Sequence, residues 1–137
     1  MTVHLPSTIP QHMRESATEL LTDRAKFCQM LRIKHKQQQR FVPFEPNAAQ
    51  QRLWEVMDKH NRVIVIKCRQ VGVSTGVRAW QFHRAYTTPH PQNYAVLSFH
   101  ERSARNLRRM DRRWLSELPG LLQRDLEVDS AEDMVFS

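Results

Sequence analysis

The six residues Arg62-Val-Ile-Val-Ile-Lys67 constrain this chain more than any other stretch. Four β-branched residues in a row, bounded by charge, read as a short strand buried on both faces. The neighbouring residues narrow the choice. Cys68 to Gly72 reads as a loop, and Ser74 opens a helix running to about Tyr86. Beyond the Thr87-Thr-Pro-His-Pro91 break lies a second apolar run, Tyr94-Ala-Val-Leu-Ser-Phe99, read as a second buried strand. Glu101 to Leu118 then reads as a helix ended by Pro119-Gly120, with Ser98 and Glu101 spaced as a capping box. Strands separated by helices predict a parallel sheet with helical crossovers, so the expected fold class is α/β.

Ahead of the first strand the pattern is helical. Leu20, Leu21, Phe27, Cys28 and Leu31 recur at helical spacing between Glu15 and Lys36. Thr22 and Asp23 are placed to cap a second helix inside that stretch. Arg32 to Arg40 reads as a helix end or loop, and Phe41-Val-Pro-Phe-Glu-Pro46 as extended chain. Asn47-Ala-Ala-Gln50 matches a capping box, and Leu53, Trp54 and Met57 give the helix behind it a buried face. Residues 1–12 read as a tail, without the basic and apolar regions of a secretory signal. The expected division is a helical lead-in over 1–40 and the α/β part over 41–137.

The stretch that carries chemistry is Lys67-Cys-Arg-Gln-Val-Gly-Val-Ser-Thr75. A loop between a strand and a helix start gathers free backbone N–H groups and the positive end of the helix dipole, which suits phosphate. Against the usual G-x-x-x-x-G-K-[ST] pattern, Gly72 aligns with the second glycine and Ser74 with the hydroxyl that holds Mg²⁺. Lys67 then stands at the first glycine and Val73 at the lysine. The phosphate cation would come from Lys67 or Arg69. A strand-to-helix turn with a glycine and a hydroxyl cap satisfies the same residues.

This stretch resembles the K-x-R-Q-x-G-x-S-T loop of the large terminase subunit of tailed bacteriophages, the ATPase that drives DNA into the capsid. Phe44-Glu-Pro-Asn-Ala-Ala-Gln50-Gln-Arg-Leu53 is similar to the family's segment ahead of its ATPase strand. Asp23 to Phe27, Ile33 to Lys36, Val42 to Phe44 and Tyr94 to Leu107 are similar to its lead-in, second strand and following helix. The resemblance implies an ASCE-type P-loop NTPase sheet, incomplete in this chain. It implies ATP and Mg²⁺ at Lys67, Cys68, Arg69, Gln70, Val71, Gly72, Val73, Ser74 and Thr75, with Ser74 on the metal. Lys67 and Arg69 would be the catalytic cations. Gln50 matches the glutamine that reads adenine, with Gln51 the fallback one position on; Gln50 also suits the capping box. The family's acidic metal-binding and water-activating motif and its nuclease carboxylates have no counterpart here. The chain is thus expected to be the front part of a larger ATPase, inactive alone. Implied partners are double-stranded DNA, the portal protein, a small terminase subunit and further copies in a ring, in the host cytoplasm.

Charge points the same way. One basic residue and five acids lie beyond Leu122, leaving residues 1–121 with a net charge of +11 against +7 for the whole. A surplus of that size suits a polyanion. On a helical wheel Arg102, Arg105, Arg108, Arg109, Arg112 and Arg113 share an arc of about 140°, opposite Ala104, Leu107, Met110, Trp114, Leu115 and Leu118. That face is expected to meet DNA phosphate or an acidic partner, with salt bridges to the acidic C-terminal stretch as the plainer reading. His83, His90 and His100 read as surface residues, and the three tryptophans as core. Cys28 and Cys68 have no metal spacing and read as free thiols. No run is long and apolar enough to cross a membrane. Two rivals remain: a helicase-like P-loop ATPase, and a basic DNA-binding module without nucleotide chemistry.

Overall fold

The computed structural model describes residues 10–35, 38–88, 93–122, 126–129 and 134–136. The chain begins with two helices, α1 (Gln11–Thr22) and α2 (Arg24–Met30). Asp23 divides them. Its backbone is extended, and its carboxylate accepts hydrogen bonds from the Ala25 and Lys26 N–H groups. The helical pattern does not run on to Lys36: β1 (Arg32–Lys34) pairs antiparallel with β2 (Phe41–Pro43), Ile33 opposite Val42. Phe44 N–H extends that pairing to Leu31 O at 2.8 Å.

Helix α3 (Ala48–Lys59) starts at Asn47 with both halves of the capping box made. Helix α4 (Val73–Thr87) begins after Gly72, whose φ of 79° is left-handed and thus open to glycine at little cost. Helix α5 (Glu101–Glu117) starts at His100 without a side-chain cap, so the expected Ser98–Glu101 box does not form. A 3-10 turn at Gly120–Leu122 precedes β3 (Leu126–Asp129) and β4 (Met134–Phe136), an antiparallel pair with a bulge between Leu126 and Val128.

The expected parallel sheet is not present among the described residues. Among the described residues the only sheets are the two antiparallel pairs. Arg62–Lys67 and Tyr94–Phe99, read as its buried strands, join neither ladder. Ile64 and Ile66 are 93% and 97% exposed, Leu97 and Phe99 both 96%. The domain is mainly helical. The physical reason lies in what β-branched composition reports: propensity belongs to one segment, whereas a strand needs a hydrogen-bonded neighbour. Val63 and Val65 are half-exposed and alternate with the outward Ile64 and Ile66, so the segment keeps strand-like sidedness without a ladder.

The core lies between the helices and the first hairpin. Leu21, Phe27, Cys28 and Leu31 pack with Phe44, Trp54, Ala79, Phe82, Tyr86, Trp114, Leu115, Leu118 and Leu122, so it draws on both sides of residue 40. Trp114 is fully buried and its Nε1 donates to Arg32 O at 2.9 Å, tying α5 to the hairpin.

Candidate functional site

The 67–75 loop is held from one side. Gln50, on the first turn of α3, is 4% exposed. Its Oε1 accepts from Asn47 N–H at 2.9 Å, and its Nε2 donates to Gly72 O at 2.8 Å. Asn47 Nδ2 donates to Val71 O at 3.3 Å, and Trp54 Nε1 to Gly76 O at 2.8 Å. The N-terminus of α3 therefore grips the loop and the first turn of α4. A Cβ on Gly72 would stand 2.8 Å from Gln50 Nε2, and one on Gly76 3.0 Å from Gln50 Cγ. The glycines let the two helix starts approach, and Gln50 fills the gap. Its amide is engaged inside the chain at both ends, as the capping-box reading anticipates.

The remainder of the loop faces water. Lys67, Cys68, Arg69, Gln70 and Ser74 are exposed; Val71, Gly72, Val73 and Thr75 are half-buried. Gln70 is left-handed, with φ of 70°. The α4 start carries no side-chain cap, so the first-turn N–H groups of Val73, Ser74 and Thr75 are not taken by one. These donors, the Ser74 hydroxyl and two cations on the flanking loop suit an anion such as phosphate. Residues 62–75 contain no carboxylate, so this loop alone supplies no group to hold Mg²⁺ by charge or to activate water. Among the described residues, no group of three or more His, Cys, Asp or Glu is placed to hold a metal ion.

The six arginines of α5 divide in two. Arg102, Arg105 and Arg109 are exposed, and Arg105 pairs with Glu101 one turn back. Arg108, Arg112 and Arg113 are half-buried, with the Arg113 guanidinium 4.3 Å from the Phe41 ring centroid. The exposed face is thus narrower than the wheel suggests, because the helix rests its flank on the hairpin.

Two polar clusters went unread in the sequence. Asp111 is 2% exposed and bound by Arg78 of α4 through two nitrogens, Nε at 3.3 Å to Oδ1 and Nη2 to Oδ2. Burial pushes the Asp111 carboxyl up, with Arg78 and then Arg108 pulling it down. On the wheel Asp111 lies within the apolar arc of α5, and that anomaly was the available signal. His83, read as a surface residue, is 5% exposed on the buried face of α4. Its spacing from Ala79 and Tyr86 places it there. His100 is exposed as expected, and His90 lies outside the described residues. Trp54 and Trp114 are buried, and Trp80 packs against the core. Cys28 is a buried free thiol and Cys68 an exposed one. Among the described residues no helix is long and apolar enough to cross a membrane. No family model, curated protein or solved structure matches the chain.

Proposed function

We propose that this chain binds Mg-ATP at the 67–75 loop and belongs to a DNA-packaging motor similar to the large terminase subunit of tailed bacteriophages. The observation carrying the reading is the uncapped start of α4 behind left-handed Gly72, with Lys67, Arg69 and Ser74 exposed around it. Such a start offers converging N–H donors to an anion, and the loop adds two cations and a hydroxyl. The binding reading rests on this local geometry and not on a parallel sheet. ATP and Mg²⁺ are the ligands, and double-stranded DNA, the portal protein, a small terminase subunit and a homo-oligomeric ring are the partners in this reading. Hydrolysis would draw its carboxylates from outside the loop.

The test is a titration of the chain with a fluorescent ATP analogue, with and without Mg²⁺. Ser74→Ala, Lys67→Ala and Arg69→Ala are chosen because all three sites are exposed and their loss spares the core. Gly72 is left intact, since a side chain there disturbs the Gln50 brace whatever the loop binds. Lys67→Ala should weaken binding by about tenfold, or about 1.4 kcal/mol. Ser74→Ala should remove the Mg²⁺-dependent part. Equal affinity in all three variants and the parent would refute the site.

A second reading is favoured by one observation: the α5 surface presents Arg102, Arg105 and Arg109 to solvent. A basic DNA-binding module would bind DNA through that surface and show no nucleotide affinity at all.

A further inference from the structure

His83 lies outside the nucleotide reading, yet its ring joins three segments. Nε2 is 2.8 Å from Leu21 O, at the end of α1. A carbonyl only accepts, so Nε2 carries the proton. Nδ1 is then a lone pair, and it accepts from Arg24 Nε, on the first turn of α2, at 3.4 Å. Arg24 in turn forks onto Asp58 of α3 at 2.8 and 3.0 Å. Its guanidinium lies 5.6 Å from the Trp54 ring centroid and 5.8 Å from that of Trp80. Trp80 Nε1 donates to the same carboxylate at 2.8 Å, and Phe27 meets the imidazole edge-on at 5.1 Å. Arg84, next along α4, covers the Trp80 ring at 4.9 Å. The charged groups around the imidazole are therefore Arg24, Asp58 and Arg84, and both Asp58 oxygens are already engaged.

We propose that His83 is an acid-sensitive latch, holding the α1–α2 corner against α3 and α4 and releasing it when the imidazole takes a second proton. Protonation converts the acceptor facing Arg24 into a donor. N–H then faces N–H and cation faces cation, with His83 itself only 5% exposed. Burial opposes the charge most. The Leu21 carbonyl and Asp58 favour it and Arg24 and Arg84 oppose it, leaving the imidazole pKa lowered to about 4. The unfolded chain takes up this proton near the ordinary value of 6.5. The docked corner thus has its full stability above 6.5 and loses it as pH falls toward 4. Asp58 keeps its charge through that window. Burial works against its ionised form most, but the hydrogen bonds from Arg24 and Trp80 and the charges of Arg24 and Arg84 together hold the carboxyl below its ordinary value. The ion pair persists, and the imidazole alone switches.

Amide hydrogen exchange, corrected for intrinsic rate, reads the latch between about pH 7.5 and about pH 4.5. Amides over 25–31 report the corner, and amides over 107–115 report the rest of the fold. The His83 ring is titrated by NMR in the same intact chain. The expected ring midpoint is far below 6.5. Opening at 25–31 should rise about tenfold per pH unit below that value, and rise less over 107–115. In His83→Gln the amide can satisfy both partners and binds no proton, so the pH dependence at 25–31 should vanish. A ring midpoint near 6.5, equal acceleration in both regions, or unchanged acid sensitivity in His83→Gln would each overturn the proposal. Should His83→Gln fail to fold, the ring midpoint and the two-region comparison in the parent chain still decide.

Discussion

The two thiols of this chain have opposite chemistries, and their surroundings set the difference. Cys28 is fully buried between Phe27 and the α4 core. Burial pushes its thiol up to about 12, against a smaller pull from Arg24. The thiolate is the nucleophile, so Cys28 should be inert in the folded chain. Cys68 is exposed at the head of the loop. A thiol-specific dye at about pH 8 should label one cysteine quickly and the other only in denaturant, with peptide mapping placing the fast site at Cys68. Equal labelling rates would contradict the burial. At this scale the sequence was readable where the partner is local. Asn47 and Gln50 sit three apart, and their capping box is made. Arg78 and Asp111 are separated by 33 residues, and Arg24 and His83 by 59. No local pattern announces such pairs, and only the misplaced Asp111 on the α5 wheel hinted at one.

Helices α3, α4 and α5 are legible to within a residue or two because their periodicity is written into one segment, whereas the lead-in pattern over Glu15 to Lys36 misses the α1 start at Gln11 and the α2 end at Met30. The reading of α5 as Glu101 to Leu118 differs by one residue from the helix that forms, and α4 and α3 agree as closely. The failures were elements that need a second segment. The β1 segment reads as a helix end or loop because its strand partner lies across a turn, and two apolar runs read as strands that here have no ladder. The α5 surface also carries a prediction. Arg108, Arg112 and Arg113 are half-buried along the helix flank, so Arg102, Arg105 and Arg109 are the side chains able to meet a polyanion without loosening the fold. Each phosphate neutralised adds about 0.9 to the slope of log affinity against log salt. Changing these three to Gln should flatten the slope for double-stranded DNA by roughly 2 to 3 units, with helix content unchanged by circular dichroism. An unaltered slope in the folded variant would assign the surface to another partner or to water.

For the whole molecule, the exposed apolar rows are the main departure from an ordinary soluble domain. Ile64, Ile66, Leu97 and Phe99 are each at least 93% exposed, and short β-branched stretches of this kind invite association. The chain should bind a hydrophobic dye in its native state. Ile64→Lys with Ile66→Lys should reduce that binding and raise solubility, with Tm unchanged because almost no contact is lost. A large drop in Tm would mean that these residues are packed in solution. Trp114 matters at this scale for another reason, because its indole closes on Arg32 across 82 positions. Trp114, Leu118 and Leu122 belong to the same core as Phe27 and Leu31, and Trp114 meets Phe82 edge-on at 5.6 Å. During synthesis the early helices can first lie against α3 and α4, where Phe27 meets Phe82, His83 and Tyr86. Only the last part of their cover, from Trp114, waits until about ninety more residues have been added. Birth, for this chain, is a core closed in two stages, first by α4 and then by α5.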